Sequence, residues 1–456
     1  MKIEDVLKQI PEIDSFLTVD EMDQNTFALQ HRYPDRIQVD QVGESRKKHP
    51  IYRIKIGCGK RKALIFGCPH PNEPIGAMML EHLCTILCEN EALLAELDTT
   101  FHIIKCVDPD GLNLNNGWLK GPFTYKNYAS NFFRPASNQQ VEWTFPFHYK
   151  TYHFDQALPE TKAIMKVIDE VHPDFMYSLH NSSFGGVYWY VNKNQPSIVE
   201  HLATAAERVN LPLNLGEPEV PFCQTFNDAI YELPQSAASY DYYADNLDKD
   251  PAEIMKGGGC SADYLDTVNK NAFVLICEMP YFFCPASNDL TIDPTMTRKE
   301  AVLKGYEIRE RINEELKKLV TPLMEYADLT SSCMVALQDR IEDKEDYKNA
   351  ELALMEAHPE QYDIPCTAAS RFDSLYGTPW YMLLAFGMVI TAAKETIEMT
   401  QEDSVITKMQ NIIADAQSYL KTECAKIEEA VPCQPIPIRK LVSVQMESAL
   451  LALGMK

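Results

Sequence analysis

A histidine and a glutamate separated by two residues stand out in segment 67–76, which reads GCPHPNEPIG. The segment directly follows an apolar run, so we expect His70 and Glu73 at the exit of a β-strand. Positions i and i+3 of a tight turn or a first helical turn face the same way, and an imidazole and a carboxylate placed like this can both bind one Zn²⁺. Because a His-x-x-Glu spacing is common by chance, the pair alone more often carries no metal.

A second histidine ends another apolar run. His180 follows the run 175–179 and precedes a loop rich in serine and glycine. A catalytic zinc ion uses three protein ligands and keeps one position open for water, and open α/β sheets bind ligands at the carboxyl ends of their strands. His180 by itself is more often a hydrogen-bonded core residue. Together with His70 and Glu73, however, it completes a His/Glu/His metal site.

A lone carboxylate ends a third apolar run. Glu278 follows the run 273–277, where a carboxylate is costly to bury unless it is paired or takes part in chemistry. Beside a metal-activated water it can act as a general base and then as a general acid. The alternative is a strand-end glutamate that reaches solvent. The four residues together favour a metal-dependent hydrolase.

The segments that must position these residues alternate between strand and helix patterns. Strands are predicted at 51–56, 62–67, 101–107, 175–179 and 272–277, and helices at 75–89 and 161–171. This alternation predicts an α/β sheet that is covered on both faces. Residues 1–50 read as a short helical lead followed by irregular polar sequence.

After residue 297 the sequence turns helical. Helices are predicted at 298–324, 337–356, 380–399, 402–429 and 441–453. The prediction is therefore an N-terminal helical lead over 1–35, a catalytic domain over 36–310 and a helical C-terminal region over 311–456. The last region either packs against the catalytic domain or mediates self-association into a homo-oligomer.

The amino-acid composition limits which binding partners and which cellular compartment we expect. The chain has 42 basic and 66 acidic residues, a net charge of −24, which disfavours binding to nucleic acid and to anionic lipid. Its 13 cysteines include no Cys-x-x-Cys pair, as is typical of reduced thiols in the cytoplasm. The start lacks an export signal, and the longest apolar patch, near 380–393, falls short of the ~18 residues of a spanning helix. We expect a cytoplasmic enzyme without a membrane or nucleic-acid partner.

The ordered motifs resemble those of the zinc carboxypeptidases, the metallocarboxypeptidase family, over roughly residues 36–310. The matching motifs are Gly43-Glu44-Ser45, His70 with Glu73, Pro109-Asp110-Gly111, Glu160-Thr161-Lys162 leading to His180, and Glu278. The resemblance implies a mixed, largely parallel twisted sheet with helices on both faces. It also implies one Zn²⁺ per chain on His70, Glu73 and His180, with Glu278 as the catalytic acid and base. The expected reaction is hydrolysis of amide bonds in small peptides.

Further site residues follow from the same resemblance. Arg134 matches the arginine that polarises the scissile carbonyl, and Glu142 matches an acid that orients a zinc-bound histidine. Asn181 is expected to support the site or bind substrate. Thr144 stands where the family has an Asn-Arg pair that holds the terminal carboxylate, and it lacks the charge for that role. Met255 stands where the family has a mobile tyrosine.

These departures leave the substrate open. One expectation is a carboxypeptidase that trims small peptides. Another is an N-acyl amino acid deacylase resembling aspartoacylase and succinylglutamate desuccinylase, which share a His-x-x-Glu motif with Asn-Glu-Pro, a pattern that residues 72–76 also suit. A third is a catalytically silent binding protein that keeps the fold, which the missing Asn-Arg pair supports and the retained ligand set opposes.

Overall fold

The computed structural model describes residues 1–342, 345–432 and 434–455. Its strands are β1 (Ile37–Glu44), β2 (Pro50–Ile56), β3 (Arg61–Gly67), β4 (Thr99–Ile104), β5 (Phe147–Tyr149), β6 (Tyr152–Phe154), β7 (Phe175–His180), β8 (Phe184–Gly185), β9 (Tyr188–Val191), β10 (Thr225–Asn227), β11 (Ile230–Glu232), β12 (Phe273–Glu278), β13 (Phe282–Phe283), β14 (Ile292–Thr297), β15 (Pro365–Thr367) and β16 (Gln434–Pro435).

The α-helices are α1 (Ile3–Leu7), α2 (Val19–Arg32), α3 (Ile75–Glu89), α4 (Glu91–Leu97), α5 (Pro109–Leu114), α6 (Asn116–Leu119), α7 (Tyr125–Ser130), α8 (Pro159–Val171), α9 (Pro196–Arg208), α10 (Ser236–Asn246), α11 (Ser261–Val268), α12 (Arg298–Leu323), α13 (Ser332–Ile341), α14 (Glu345–Ala357), α15 (Pro359–Tyr362), α16 (Ala368–Phe372), α17 (Thr378–Leu383), α18 (Ala385–Met399), α19 (Asp403–Ala430) and α20 (Ile438–Ala452). Short 3-10 turns span Ser137–Gln139, Val141–Trp143, Pro251–Glu253 and Pro285–Asn288, and a π-helical turn spans Asp373–Gly377.

The largest sheet among the described residues has the strand order β1-β2-β4-β3-β7-β12-β9-β11-β10. The central strands β4, β3, β7 and β12 run parallel to one another, as do β9 and β11. The pairs β1–β2, β2–β4, β12–β9 and β10–β11 are antiparallel. The predicted mixed α/β fold class is confirmed, with the parallel pairing concentrated at the centre of the sheet.

Three of the central strands end at the same edge of the sheet. In the register of β3 and β7, Gly67 lies opposite Leu179, and in that of β12 and β7, Glu278 lies opposite His180. Parallel neighbours bring their carboxyl ends together, so residues far apart in the chain meet at this edge. The edge therefore collects the polar residues that the sequence places after its apolar runs.

Both faces of the sheet are covered by helices. Along β7, Tyr177 and Leu179 join one core cluster together with α3, α9 and α20, whereas Met176 joins a second cluster with α8 and α11. Successive strand residues point to opposite faces, so Ser178 and His180 lie on the same face as Met176. The strands read as continuous apolar runs because both of these faces are buried.

The first fifty residues hold more regular structure than the sequence predicts. α2 begins with a capping box in which the Thr18 hydroxyl accepts a hydrogen bond from the Glu21 amide (3.3 Å). β1 then pairs antiparallel with β2. The prediction of irregular polar sequence is wrong for 37–44, because β1 is an edge strand with few buried positions and so lacks a strong apolar alternation.

The C-terminal helices pack into the larger of the two core clusters. α20 lies against α3 and α9, and its Gln445 amide donates to the backbone oxygen of His180 (3.1 Å). The Ser448 hydroxyl of the same helix accepts from the indole of Trp189 (3.0 Å), and Glu447 pairs with Arg208 (2.8 Å). This region therefore supports the strands that end at the polar edge of the sheet.

By length and composition, one stretch of the described residues could cross a membrane. Ala368–Met399 spans 32 residues with a mean hydropathy of 1.3. The expectation that no stretch meets this criterion is wrong, because the helical segments extend well before the patch at 380–393. In the most apolar window 67% of the residues are buried inside the protein, and a buried core helix passes the same test. The stretch is thus a weak indication of a membrane segment.

Candidate active site

The segment after β3 turns sharply before α3 begins. Cys68 adopts a left-handed conformation (φ 53°), and the Glu73 amide donates to the backbone oxygen of His70 (3.0 Å). This tight turn places the two side chains of the His-x-x-Glu motif on the same side of the chain, as their spacing predicts. Both side chains are buried. The motif therefore lies inside the protein at the carboxyl end of a central strand.

His70, Glu73 and His180 converge there. One potential ligand atom from each residue lies within 4.8 Å of the other two. The Nδ1 atom of His180 is 3.1 Å from Glu73 Oε2, and the two imidazole rings have centroids 4.9 Å apart. Two imidazoles and a carboxylate are the donor set of many catalytic zinc sites, which leave one position open. The three residues can hold one such ion.

The imidazole of His70 fits that role. Its buried Nδ1 atom has no hydrogen-bond partner among the described residues. Burial, with help from the charges of Arg134 and His180, holds the pKa of His70 well below its ordinary value. The ring is therefore neutral, which is the form that binds metal, and its unpartnered nitrogen has a free lone pair.

Asn181 holds the motif in place from the neighbouring strand. Its backbone amide donates to Glu73 Oε2 (3.2 Å), and its side-chain oxygen accepts from the Ile75 amide at the start of α3 (3.1 Å). Tyr281 also donates to that side-chain oxygen (3.1 Å). Asn181 thus fixes the start of α3 relative to the end of β7.

Glu278 lies beside this group at the end of β12. Its Oε1 atom is 3.8 Å from His180 Nδ1, and the residue is only 8% exposed. Burial, together with the carboxylates of Glu219 and Glu73, raises the pKa of Glu278 well above its ordinary value. A carboxyl group whose pKa is raised in this way holds a proton more readily, which suits a group that accepts a proton and passes it on.

Arg134 reaches the same group from the segment that follows α7. Its Nη1 atom donates to Glu73 Oε1 (2.8 Å), and its Nε atom donates to the side chain of Gln140 (2.9 Å). The guanidinium also lies near the ring of Trp143, 5.8 Å from the ring centre. Arg134 therefore lies next to the ligand set, whereas Gln140 carries no sequence signal that could have revealed this contact.

Glu142 is linked to the third ligand, His180, through the hydroxyl of Ser178. The Ser178 hydroxyl is 2.9 Å from His180 Nε2 and donates to Glu142 Oε2 (3.3 Å). The amide of Ser261 also donates to this carboxylate (3.0 Å). Sequence reasoning missed Ser178, although a residue two positions before His180 on a strand shares its face. A chain of hydrogen bonds thus orients the imidazole of His180.

A known protein family matches the part of the chain that holds these residues. The family model described as zinc carboxypeptidase matches residues 22–294. The chain belongs to the zinc carboxypeptidase family. No curated protein sequence gives a significant match.

Solved structures of zinc carboxypeptidases are similar to part of the chain. Carboxypeptidase A from Helicoverpa armigera is 16% identical over 59% of this chain and 65% of its own, with a TM-score of 0.39. A metallo-carboxypeptidase from Burkholderia cenocepacia is 18% identical over 58% of this chain and 60% of its own, with a TM-score of 0.35. The chain thus spans less than two thirds of the length of either structure.

Thr144 and Met255 are two further positions that were expected to support the site or to bind substrate. Thr144 is fully buried, and its hydroxyl is hydrogen-bonded to Thr161 (2.6 Å) and to the backbone oxygen of Val141 (3.3 Å). Met255 packs against a small cluster around Tyr152. Neither residue contacts the ligand set, because one is held by internal hydrogen bonds and the other by apolar packing. Their role in supporting the site or binding substrate stays a prediction.

Proposed function

We propose that the chain is a zinc-dependent hydrolase of amide bonds, a metallocarboxypeptidase-like peptidase that acts on small peptides. The observation that carries this proposal is the convergence of His70, Glu73 and His180, with Glu278 beside them. A silent relative has no need for a buried, charged group of this kind, since burying carboxylates without a partner is costly.

His70, Glu73 and His180 would hold the metal ion. When bound there, Zn²⁺ supplies a Lewis acid that polarises a carbonyl group and makes water more acidic. The unpartnered nitrogen of His70 and the buried carboxylate of Glu73 supply the donors that this ion prefers. The hydrogen-bonded Ser178 keeps the imidazole of His180 in one orientation.

Glu278 and Arg134 would act on the substrate itself. Glu278 takes a proton from the attacking water and then gives it to the leaving amine, which its raised pKa favours. The Nη2 group of Arg134 makes no hydrogen bond to any residue that the structure describes, so its donors are free for the carbonyl oxygen. A guanidinium aimed at that oxygen stabilises the negative charge that develops during attack.

An N-acyl amino acid is the second candidate substrate. Deacylation uses the same activation of water. Thr144 and Phe145, which stand in the segment where the family has its Asn-Arg pair, are both buried, so nothing in that segment replaces the pair. Both substrate classes therefore need to be tested with the same preparation.

The test measures zinc content and hydrolysis together. We expect about one zinc per chain by elemental analysis, and release of the C-terminal amino acid from N-blocked dipeptides faster than deacylation of N-acyl amino acids. The His180→Ala variant removes a ligand, so we expect it to lose bound zinc and more than roughly 10³-fold in kcat/KM.

His201→Ala is the matched control, since His201 is an exposed residue of α9. It should keep both the zinc and the activity. A protein that refuses added Zn²⁺ and cleaves neither substrate class would favour the silent binding protein instead.

A further inference from the structure

A second guanidinium reaches the site from the C-terminal region. Arg340 lies near the end of α13, is half-buried, and is close enough to Arg134 and Tyr381 to interact with both electrostatically. Burial and the charge of Arg134 lower the pKa of the Arg340 guanidinium from its ordinary value. Because an arginine in a protein stays protonated, both guanidiniums keep their positive charge, which the carboxylates of Glu73 and Asp339 offset in part.

Contacts on two sides hold α13 at this position. On one side, Asp339 accepts hydrogen bonds from the amide (3.2 Å) and the hydroxyl (2.9 Å) of Ser137, which is close to Arg134 in the chain. On the other, Glu342 pairs with Lys256, and the Tyr347 hydroxyl donates to the backbone oxygen of Ile254 (3.2 Å).

The residues on the second side flank Met255, where the family has its mobile tyrosine. Ser137, which contacts Asp339 on the first side, lies in the segment that leads to the position of the missing Asn-Arg pair. The C-terminal region therefore bridges the two segments of the zinc carboxypeptidase domain that lack the family's substrate-binding residues.

The charge of Arg340 is partly offset by the adjacent Asp339 carboxylate, which interacts electrostatically with its guanidinium. No hydrogen bond or salt bridge joins its guanidinium to another residue within 1–342, 345–432 and 434–455. The adjacent carboxylate of Asp339 is occupied by Ser137, and Arg134 already binds Glu73. A partly buried guanidinium without a partner is costly, unless an anion binds it.

The segment that would normally bind that anion cannot do so. Thr144 and Phe145 are fully buried, and the Thr144 hydroxyl is taken by Thr161. Neither side chain offers a cationic donor to a carboxylate, which binds most tightly to charged, fork-shaped donors such as arginine.

Tyr381 adds a neutral donor next to Arg340. Its hydroxyl accepts a hydrogen bond from the Ser183 amide (3.3 Å), three residues after the ligand His180. The hydroxyl hydrogen donates to no other described residue, so it is available to an anion. Tyr381 also lies near enough to Glu278 to interact with it electrostatically.

Building on the proposed hydrolase function, we propose that Arg340 binds the free carboxylate of the substrate, with Tyr381 as a second donor. The C-terminal region thus replaces the missing Asn-Arg pair. The substrate class is a peptide or N-acyl amino acid with a free carboxylate one residue from the scissile amide.

Equilibrium binding tests this proposal without turnover. The probes are benzoyl-Gly-Phe and benzoyl-Gly-Lys analogues whose scissile amide is replaced by a methylene-amine link, each with either a C-terminal carboxylate or a carboxamide. We expect calorimetry on the full-length protein as purified to show roughly 10- to 100-fold tighter binding of at least one carboxylate form, which is the range of a charge-assisted hydrogen bond.

Arg340→Gln should remove this preference, and Arg340→Lys should restore part of it. Arg311→Gln, which changes an exposed arginine of α12, should bind like the parent protein. A circular-dichroism melt and the zinc content would show whether each variant is folded and loaded.

The outcomes separate the two proposals. If the parent protein prefers the carboxylate and Arg340→Gln abolishes that preference, the role of Arg340 is supported. If the same protein hydrolyses neither substrate class, the proposed hydrolase function is overturned. A parent protein without any carboxylate preference, or an Arg340→Gln variant that keeps it, overturns the role of Arg340. If the protein hydrolyses peptides but Arg340 has no role in binding the carboxylate, the proposed hydrolase function is still supported.

Discussion

The edge of the sheet that carries the candidate metal ligands and the proposed substrate-binding wall around Thr144 and α13 differ in how they are built. At the edge, His70, Glu73 and His180 come from strand ends whose order and spacing match the family. On the wall, Thr144 has turned inward, and a guanidinium from α13 lies near Arg134 instead.

The two parts differ in how strictly the positions of their side chains are limited. Ligand atoms must meet within about 2 Å of one ion, so their backbone positions are strictly limited. A carboxylate can be bound by any cationic donor that reaches it, and that donor can come from another part of the chain. The predictions below test each side of this difference.

The largest effect is expected at the edge. Glu278→Gln keeps the shape and removes the proton acceptor, so we expect kcat to fall by roughly 10³- to 10⁴-fold while zinc stays bound. Single-turnover kinetics and elemental analysis on one preparation would measure both. Retained activity with bound zinc would remove Glu278 from the mechanism.

A smaller loss is expected from the hydrogen-bond chain behind His180. Ser178→Ala removes the hydroxyl between His180 and Glu142, so the imidazole loses its fixed orientation. We expect zinc affinity to fall roughly 10- to 100-fold in a competition titration with a chelator. Ser182→Ala, a change next to the site outside this chain of contacts, serves as the comparison. Equal losses in both variants would contradict the positioning role.

The stability of the contact between the C-terminal region and the catalytic part should depend on pH. Burial raises the pKa of Asp373 to about 7, and its carboxyl group accepts a hydrogen bond from the Glu217 amide (2.9 Å). An unfolded chain ionises this group near its ordinary pKa of about 4. The folded state therefore holds the extra proton between pH 4 and 7, and stability falls as the pH rises through that window.

We expect this group to account for roughly 1–3 kcal/mol of that decline. Asp373→Asn keeps the accepting oxygen and should flatten the slope in urea melts from pH 4 to 7. An unchanged slope would show that the group titrates at its ordinary pKa in the folded protein.

The smallest effect is expected on the wall. Thr144→Val removes the hydroxyl that pairs with Thr161, so we expect a loss of about 1 kcal/mol in the free energy of unfolding. Because Thr144 does not contact the ligand set, KM and kcat should stay within roughly twofold of the parent values. A large rise in KM would mean that this hydroxyl reaches the substrate after all.

Local patterns predicted most of the central fold. The apolar runs before Gly67, His180 and Glu278 are the strands β3, β7 and β12, and the helix predicted at 75–89 is α3 with the same bounds. These segments are buried on both faces, so their apolar character is strong. β1 escaped prediction because an edge strand carries a weaker pattern.

Long-range contacts were beyond the reach of these patterns. Nothing near Ser137 in the sequence indicates that α13 docks there, and nothing near His180 indicates that Gln445 donates to its backbone. The surroundings of Thr144 and Met255 were out of reach for the same reason. Position in a motif does not reveal whether a side chain points into the cleft or into the core.

The sequence by itself determined the chemistry, because strand ends and ligand spacing are local properties that a short pattern carries. It therefore named His70, Glu73, His180 and Glu278. Only the tertiary structure decided that α13 docks at Ser137 and that α20 packs behind His180. Their placement depends on packing between distant apolar faces, which no local pattern encodes.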